Sequence, residues 1–271
     1  MKDGSKIVKT KVVKIDKKMI IVFGLCLVLL ISFAGCTGPN TEDPTIKRIK
    51  EAGVLKVGTC TPFEPMEYLN ESGNIVGFDI DLANEIAAHL GVKAEFKDYP
   101  TLFDDISVPL ENGEVDMVIA AITITLDRNK TLFSRPYLIA GQVIIISEAN
   151  QNISNTEDLE NKTIGVQSGT TGEKKALEYT NNIRKYKENF TSDAPGDLIA
   201  GNMDAIIVDY PVGAILVKDI SGLKIIGNPI TNEFYGIAVK KGENAFLAEI
   251  DSVIVSLQET GKMKELEDKW L

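Results

Sequence analysis

The stretch GFDIDLANEIAAHL, residues 77–90, sets the architecture of this 271-residue chain. Its apolar side chains recur at helical spacing and predict an amphipathic helix from Phe78 to Leu90. Those apolar positions are Ile80, Ala83, Ile86, Ala87 and Leu90. A β-prone run, VLKVG at 54–58, precedes the helix across a turn-rich segment with two prolines. A strand, a loop and a helix in this order indicate an α/β unit.

Strands and helices alternate along the rest of the chain. Strands are predicted at 94–96, 115–120, 142–146, 162–166, 205–208 and 236–239, and helices at 102–110, 172–179, 197–200, 245–258 and 262–270, with one more after Pro211. Strands that are apolar on both faces suit a parallel sheet covered by helices. The strand at 162–166 opens a second α/β unit with no long linker before it. Two such units predict lobes that enclose a ligand cleft.

The composition is that of an acidic, ordinarily folded protein. Hydrophobic residues make up 44% of the chain and charged residues 25%, which is the balance of a globular protein. Acidic residues outnumber Lys and Arg by 39 to 29, giving a formal net charge of −10 that disfavours binding to nucleic acid. One His and three Cys without metal-ligand spacing predict neither a metal site nor a cofactor.

The first 36 residues are predicted to be an export signal. Seven lysines precede the uncharged apolar run 19–33, which is shorter than a membrane span and typical of a signal-peptide core. The sequence FAGC at 33–36 resembles the lipobox of exported lipoproteins, so Cys36 is the expected lipidation site and residues 37–44 the flexible tether. An uncleaved anchor helix is the alternative. Both versions attach the acidic remainder to the extracytoplasmic face of the cell membrane, at the cell surface or in the periplasm.

Seven motifs stand in order along the chain, and the most specific is residues 77–87. The others are GVLKVGT at 53–59 with the prolines after it, AAITITLDR at 120–128 followed by FSRPY at 133–137, residues 162–171, MDAIIVD at 203–209, FYGIAV at 234–239 and the terminal KW at 269–270. Together they resemble the extracellular solute-binding proteins of family 3, the polar amino-acid receptors of ABC importers.

The resemblance implies an α/β, two-lobed, periplasmic-binding-protein-like class II fold, with two discontinuous domains joined by a two-strand hinge. Residues 45–138 and 235–271 are expected to form lobe one, and residues 139–234 lobe two. A protein of this kind closes on a free amino acid and delivers it to the permease and ATPase subunits of an importer. It is expected to act as a monomer and not as an enzyme. The chain has no Gly-x-x-x-x-Gly-Lys-Ser/Thr loop, so the ATPase must be another protein.

A zwitterionic ligand in a closed cleft needs partners for both of its charges. Arg128 can meet a carboxylate with a bidentate fork, as the arginine at this position does in the family. Thr170 and Thr171, in a turn between a strand and a helix, complete the expected carboxylate site. The resemblance assigns the ammonium group to Asp209, Thr123 and the Ala121 carbonyl. Each assignment has a purely structural alternative: Arg128 is a solvated arginine, Thr170 and Thr171 form a helix cap, and Asp209 is a helix N-cap.

Specificity is expected from residues that face the ligand side chain: Cys60, Phe63, Phe103, Gln167 and Val208. The two phenylalanines occupy positions that are aromatic in relatives and sandwich the ligand, although Phe103 also suits a core position. Cys60 stands where relatives that take glutamine or basic amino acids commonly have aspartate, and a neutral thiol supplies no negative charge. The expected ligand is therefore a neutral, small-to-medium or partly apolar amino acid.

Other functions occur on the same fold. A small dehydratase of prephenate or arogenate type is the enzymatic alternative, for which Glu64 or Glu67 would have to supply an acid or base. A ligand-presenting lobe for a separate sensor is the third possibility.

Overall fold

The computed structural model describes residues 43–271. The expected signal peptide, the lipidation site at Cys36 and residues 37–42 of the expected tether lie outside this range. Among the described residues, none of the helices combines the length and the apolar character that crossing a membrane requires.

Residue 44, which the sequence placed in the tether, is the first residue of helix α1, Pro44–Ala52. Proline suits this position because the first N–H of a helix has no partner within the helix. The Asp43 side chain caps the helix by accepting from two backbone N–H groups of the first turn, at 2.9 and 3.2 Å. The tether prediction is therefore one residue too long at this end.

The first sheet has five strands in the order β4-β1-β5-β14-β6. Strand β1, Val54–Thr59, lies between β4, Lys93–Asp98, and β5, Met117–Val118, and is parallel to both. Strand β14, Ala238–Lys240, runs antiparallel to β5 and to β6, Thr131–Phe133. The last part of the chain thus returns to the sheet that the first part builds, and lobe one is discontinuous.

Helix α2, Phe78–Leu90, has the limits that the sequence predicts. It follows a short hairpin formed by β2, Tyr68–Leu69, and β3, Ile75–Val76. At the start of the helix Gly77 has φ of 140° and lies against the Met66 carbonyl, where a Cβ atom would clash. The other helices of this lobe are α3, Ser107–Glu111, α7, Asn244–Glu259, and α8, Lys262–Trp270.

The helix predicted at 102–110 is divided in two. A 3₁₀ turn, Leu102–Asp104, comes first, and α3 begins at Ser107. The cause is Asp105, whose Oδ1 accepts from the N–H and the hydroxyl of Ser107 at 3.0 and 2.7 Å and so starts a new turn.

The second sheet has the order β10-β9-β11-β8-β12. Its strands are β8, Gln142–Ser147, β9, Ile164–Gln167, β10, Ile183–Tyr186, β11, Ala205–Asp209, and β12, Leu223–Ile226. Strand β9 is parallel to β10 and β11, whereas β8 is antiparallel to β11 and β12. Both sheets are therefore mixed, and not the parallel sheets that the apolar strands indicated. Continuous apolar strands show burial on both faces, which an antiparallel neighbour permits equally.

The helices of lobe two are α4, Thr171–Leu177, α5, Phe190–Ile199, and α6, Tyr210–Asp219, with a 3₁₀ turn at Thr156–Leu159. The sequence predicted only the end of α5, at 197–200. Pro195 lies inside this helix, and proline disfavours a helical assignment because it lacks the N–H of an internal residue.

Two short strands connect the lobes. Strand β7, Leu138–Ala140, pairs antiparallel with β13, Glu233–Tyr235, so that Glu233 lies opposite Ala140. The apolar core is continuous through this region, because the buried Tyr137 and Tyr235 pack in the same cluster as side chains of both sheets. Two short chain segments thus form the hinge, and buried aromatic rings pack beside them.

Candidate functional site

The two lobes are in contact across a closed cleft. Thr191 of lobe two donates its hydroxyl to the carbonyl of Pro62 in lobe one at 3.2 Å. At the exposed rim, Lys174 of lobe two forms an ion pair with Asp127 of lobe one. A cavity of about 350 Å³ lies mainly on the lobe one side of this rim; Arg128 lines it, and lobe two contributes Gly169 and Lys174.

The turn between β9 and α4 lies directly against lobe one. Gly169 in this turn has φ of 76°, a left-handed conformation that favours glycine. A Cβ atom here would lie 2.6 Å from the backbone oxygen of Phe103. The lobes approach this closely because residue 169 has no side chain.

Arg128 projects from the loop between β5 and β6 and is half-buried. Its Nη1 donates to the carbonyl of Thr123 at 2.6 Å, and its guanidinium lies 5.9 Å from the centre of the Phe103 ring. Burial lowers the pKa of Arg128, an effect opposed by Asp127, Asp209 and Glu233. A freely solvated arginine does not match this environment.

Asp209 is the N-cap residue of α6, but its side chain makes no capping hydrogen bond. Instead Oδ1 accepts from Nε2 of Gln142, the first residue of β8, at 2.5 Å. Burial raises the pKa of Asp209 to about 7, and the negative charge of Glu233 adds to the increase. The Tyr235 hydroxyl, the Gln142 amide and Arg128 oppose it. A buried carboxylate not used to cap its own helix is available for a ligand.

Glu233 of hinge strand β13 brings both lobes together. Its Oε2 accepts from the hydroxyl of Thr123 in lobe one at 3.0 Å and from that of Thr171 in lobe two at 2.6 Å. Gln142 Nε2 lies 3.3 Å from the same oxygen, and the Thr231 hydroxyl donates to Oε1 at 2.8 Å. This carboxylate thus lies within hydrogen-bond distance of four neutral donors, and Thr123 and Thr171 among them belong to opposite lobes.

The two threonines expected at the ligand carboxylate use their hydroxyls differently. Thr170 caps α4, since its Oγ1 accepts from the N–H of Glu173 at 3.2 Å and donates to the carbonyl of Gln167 at 2.8 Å. Thr171 gives its hydroxyl proton to Glu233 and accepts from Gln142 at 3.2 Å. The hydroxyl protons of both residues are therefore already in use.

Ala121 has φ of 48°, which is uncommon for a residue with a side chain. The buried carboxylate of Asp79 accepts from its N–H at 2.6 Å and from the Tyr137 hydroxyl at 3.0 Å. Burial raises the pKa of Asp79 to about 7, and these two hydrogen bonds oppose the increase. Asp79 thereby holds the Ala121 backbone in its strained turn.

Glu67 lies beside Asp79 and is fully buried. Burial and the neighbouring Asp79 raise the pKa of Glu67 well above its usual range, so Glu67 keeps its proton. Glu64 is exposed.

The five residues expected around the ligand side chain are all buried: Cys60, Phe63, Phe103, Gln167 and Val208. Cys60 and Phe103 belong to one apolar cluster of lobe one. Phe63 and Val208 belong to the main core. The thiol of Cys60 lies 3.7 Å from the Pro100 carbonyl. Burial raises the pKa of the Cys60 thiol, so the thiol stays neutral. No group of acidic, His and Cys side chains within 43–271 is arranged to hold a metal ion.

Comparison with known proteins identifies the family of this chain. The model of the bacterial extracellular solute-binding proteins, family 3, matches residues 55–271. This chain belongs to that family. The L-cystine-binding protein TcyJ of Escherichia coli (strain K12) is 31% identical over 234 residues, which cover 84% of this chain and 86% of TcyJ. A probable histidine-binding protein of Neisseria gonorrhoeae is 31% identical, with 94% and 95% of the two chains covered.

Solved structures similar to this chain confirm the two-lobed class II fold. A mutant of ArgBP from T. maritima has a TM-score of 0.78 and 38% identity, covering 83% of this chain and 98% of its own. An ancestral amino acid-binding protein, described as a precursor of cyclohexadienyl dehydratase, has a TM-score of 0.77 and 33% identity, covering 83% and 99%.

Two residues of this site, Gln142 and Glu233, were not predicted from the sequence. Each lies at one of the two crossings between the lobes, Gln142 directly after β7 and Glu233 at the start of β13. The signal that could have found them is a polar side chain at each end of the expected hinge, where both lobes must approach.

Proposed function

We propose that this protein is the extracytoplasmic substrate-binding subunit of an amino-acid ABC importer. It captures a free amino acid between the lobes and delivers it to a membrane permease driven by an ATPase subunit. The observation that carries the proposal is the placement of opposite charges at the contact between the lobes: Arg128 donates to the Thr123 carbonyl of lobe one, and Gln142, which lies 3.3 Å from the Glu233 carboxylate that accepts from the Thr123 hydroxyl, donates to Asp209 of lobe two. Membership of family 3 supports it.

The ligand's carboxylate binds to Arg128 and to the turn at Thr170 and Thr171. Arg128 has five N–H donors and spends one on the Thr123 carbonyl, which leaves a fork for a carboxylate. Because the threonine hydroxyls are engaged, the contact from that turn falls to backbone N–H groups.

The ligand's ammonium group binds to Asp209, to the Thr123 hydroxyl and to the Ala121 carbonyl. Asp209 and Thr123 belong to opposite lobes, so the ligand completes its hydrogen bonds only when the lobes meet. Binding therefore selects the closed form.

The bound molecule is a neutral amino acid. Cys60 supports this choice, because its buried thiol is neutral and adds no negative charge to the side-chain pocket. Gln167 and Val208 are uncharged as well. Relatives are named as binding proteins for neutral and for cationic amino acids, among them the GlnH glutamine-binding protein of Bacillus subtilis and an arginine-binding protein of Mannheimia haemolytica.

The protein works as a monomer held at the membrane by lipid on Cys36. This attachment rests on the lipobox-like sequence at 33–36. Mass spectrometry of the protein from cells that express it is expected to show an N-terminus at Cys36 that carries lipid. An intact N-terminus that retains residues 19–33 would point to an uncleaved anchor helix.

The test of the proposed function is thermal unfolding of the purified, ligand-stripped protein against the twenty common amino acids, L-cystine and prephenate. An amino acid at 100 times its dissociation constant stabilises the protein by about 2.7 kcal/mol. We expect a shift with one or a few neutral amino acids. If no amino acid shifts the thermal unfolding of the protein, the proposal is contradicted. A strong preference for arginine or lysine contradicts the neutral pocket.

A dehydratase is the second candidate, supported by the similarity to the ancestral precursor of cyclohexadienyl dehydratase. A dehydratase needs a catalytic acid or base, and Glu67 is a poor candidate because it is buried against Asp79. Conversion of prephenate by the purified protein would reverse the ranking.

A further inference from the structure

The amide nitrogen of Gln142 is surrounded by more acceptors than it can serve. Asp209 Oδ1, Thr171 Oγ1 and Glu233 Oε2 lie 2.5, 3.2 and 3.3 Å from Nε2. A primary amide has two hydrogens, so three acceptors cannot all be filled at once. One of these acceptors is therefore left without a hydrogen from Gln142, and an ammonium group bound beside the amide would supply it.

Glu233 also fixes the direction of the Thr123 hydroxyl. A hydroxyl has one hydrogen, and that of Thr123 lies 3.0 Å from Glu233 Oε2. With this proton committed to Glu233, the lone pairs of Thr123 Oγ1 remain free to accept from a ligand. Without the carboxylate the hydroxyl could rotate, and its proton would then oppose a cation.

The charges around the cleft favour a cation at the same place. Glu233 raises the pKa of Asp209, which means that the two carboxylates repel each other when both are ionised. Arg128 is the cation that acts on Asp209. A second positive charge between Asp209 and Glu233 would remove the repulsion.

We propose that Glu233 is a positioning residue for the ammonium group of the bound amino acid, through the Thr123 hydroxyl and through its own charge beside Asp209. This inference rests on the proposed function and adds to it. The hinge residue then has two tasks, because its hydrogen bonds to Thr123 and Thr171 also join the lobes in the closed form.

The test compares Glu233→Gln with wild-type protein by calorimetric titration. The probes are the amino acid with the largest thermal shift in the panel above and the same acid without its 2-amino group. We expect Glu233→Gln to weaken binding of the amino acid by roughly tenfold to 100-fold and to leave that of the deaminated acid nearly unchanged. Glu233→Asp, which keeps the charge, is expected to recover part of the affinity.

Two variants serve as controls. Glu160→Gln changes an exposed glutamate of lobe two and should leave both affinities as in wild type. Thr123→Val removes the hydroxyl that Glu233 orients, so it should cause a selective loss of the same kind, and adding Glu233→Gln to it should cost less than in wild type. If Glu233→Gln fails to fold, Thr123→Val alone still tests the inference, because equal losses for the amino acid and its deaminated analogue would overturn it.

Three outcomes separate the claims. Equal losses for the amino acid and its deaminated analogue would show that Glu233 only holds the lobes together, and the inference would be wrong. Unchanged affinity in Glu233→Gln would overturn it as well. A wild-type protein that binds no amino acid in the panel would instead contradict the proposed function.

Discussion

Arg128 is the residue on which carboxylate recognition depends most. Its guanidinium is held by the Thr123 carbonyl and lies beside the Phe103 ring, which fixes the plane of the fork. Lysine has the same charge but offers neither the plane nor the fork. A lysine at position 128 therefore keeps the positive charge but loses the bidentate geometry, so it tests the two contributions separately.

Replacing Arg128 by Lys is expected to weaken amino-acid binding by roughly tenfold to 100-fold, because a bidentate pair becomes a single contact. Titration calorimetry measures the loss, and circular dichroism checks that the fold is retained. Arg135→Lys, at an exposed position in lobe one, is the matched control and should bind as wild type does. Equal affinities for the two variants would mean that the carboxylate lies elsewhere.

Because of Asp209, we expect ligand affinity and the stability of the empty protein to change with pH in opposite directions. Its pKa of about 7 in the empty protein is far above that of an exposed aspartate, and the groups that act on it are Glu233, Tyr235, Gln142 and Arg128. An ammonium group binds to the ionised form. Affinity should therefore fall by roughly tenfold for each pH unit below 7, towards pH 5.

The stability of the empty protein should change in the other direction. A carboxyl group with a raised pKa binds its proton more tightly in the folded state, so this contribution is lost as the pH rises through about 7. Asp79, with a pKa also raised to about 7, has the same sign. We expect higher resistance to urea at pH 5.5 than at pH 8 in the absence of ligand.

The variant Asp209→Asn distinguishes the titration of Asp209 from that of Asp79. Because the amide cannot ionise, the variant should bind weakly at every pH and should lose part of the pH dependence of stability. An affinity profile that keeps its wild-type slope in Asp209→Asn would assign the titration to another group.

At the scale of elements, the turn between β9 and α4 decides how closely the lobes approach. Gly169→Ala places a Cβ atom 2.6 Å from the Phe103 backbone oxygen and forces alanine into a left-handed conformation. Binding should weaken by roughly fivefold to 150-fold, since a single interlobe clash costs about 1–3 kcal/mol. Calorimetric titration provides the measurement.

Gly196→Ala is the control for this prediction. It adds the same methyl group within α5 of the same lobe, with no heavy atom within 4 Å of the new Cβ. It should leave affinity unchanged and raise stability by up to about 1 kcal/mol. If Gly169→Ala binds as well as this control, the closed contact at Phe103 is not part of binding.

Elements whose limits depend on local signals could be predicted from the sequence. Helix α2 has both ends correct, because a glycine that no side chain can replace precedes Phe78 and another glycine follows Leu90 in a left-handed cap. Helix 102–110 and most of α5 could not be predicted, since a side-chain hydrogen bond at Asp105 and an internal proline at 195 override the apolar pattern.

The candidate site was predictable only in part, for a different reason. Arg128, Thr123 and Asp209 follow from the chemistry of a zwitterion and the family motifs. Gln142 and Glu233 are 91 residues apart in sequence and meet only through the fold. Their use of the Thr171 hydroxyl could not be predicted from local sequence, because it depends on which side chains the closed hinge brings together.

At the scale of the molecule, we expect the two lobes joined by β7 and β13 to exchange between open and closed forms. Small-angle X-ray scattering should give a smaller radius of gyration with the bound amino acid than without it. The control is Gly169→Ala, in which the change should be reduced. An identical radius with and without ligand in wild type would mean that the closed form persists when the cleft is empty.

The central claim is that a free amino acid binds between Arg128 and Asp209 with the lobes closed. The crystal structure of the protein with the amino acid that gives the largest thermal shift tests it directly. We predict density for one amino acid in the cleft, with its carboxylate on the Arg128 guanidinium and its ammonium group on Asp209 and Thr123. A ligand that lies outside the cleft, or whose carboxylate does not touch Arg128, would contradict the account.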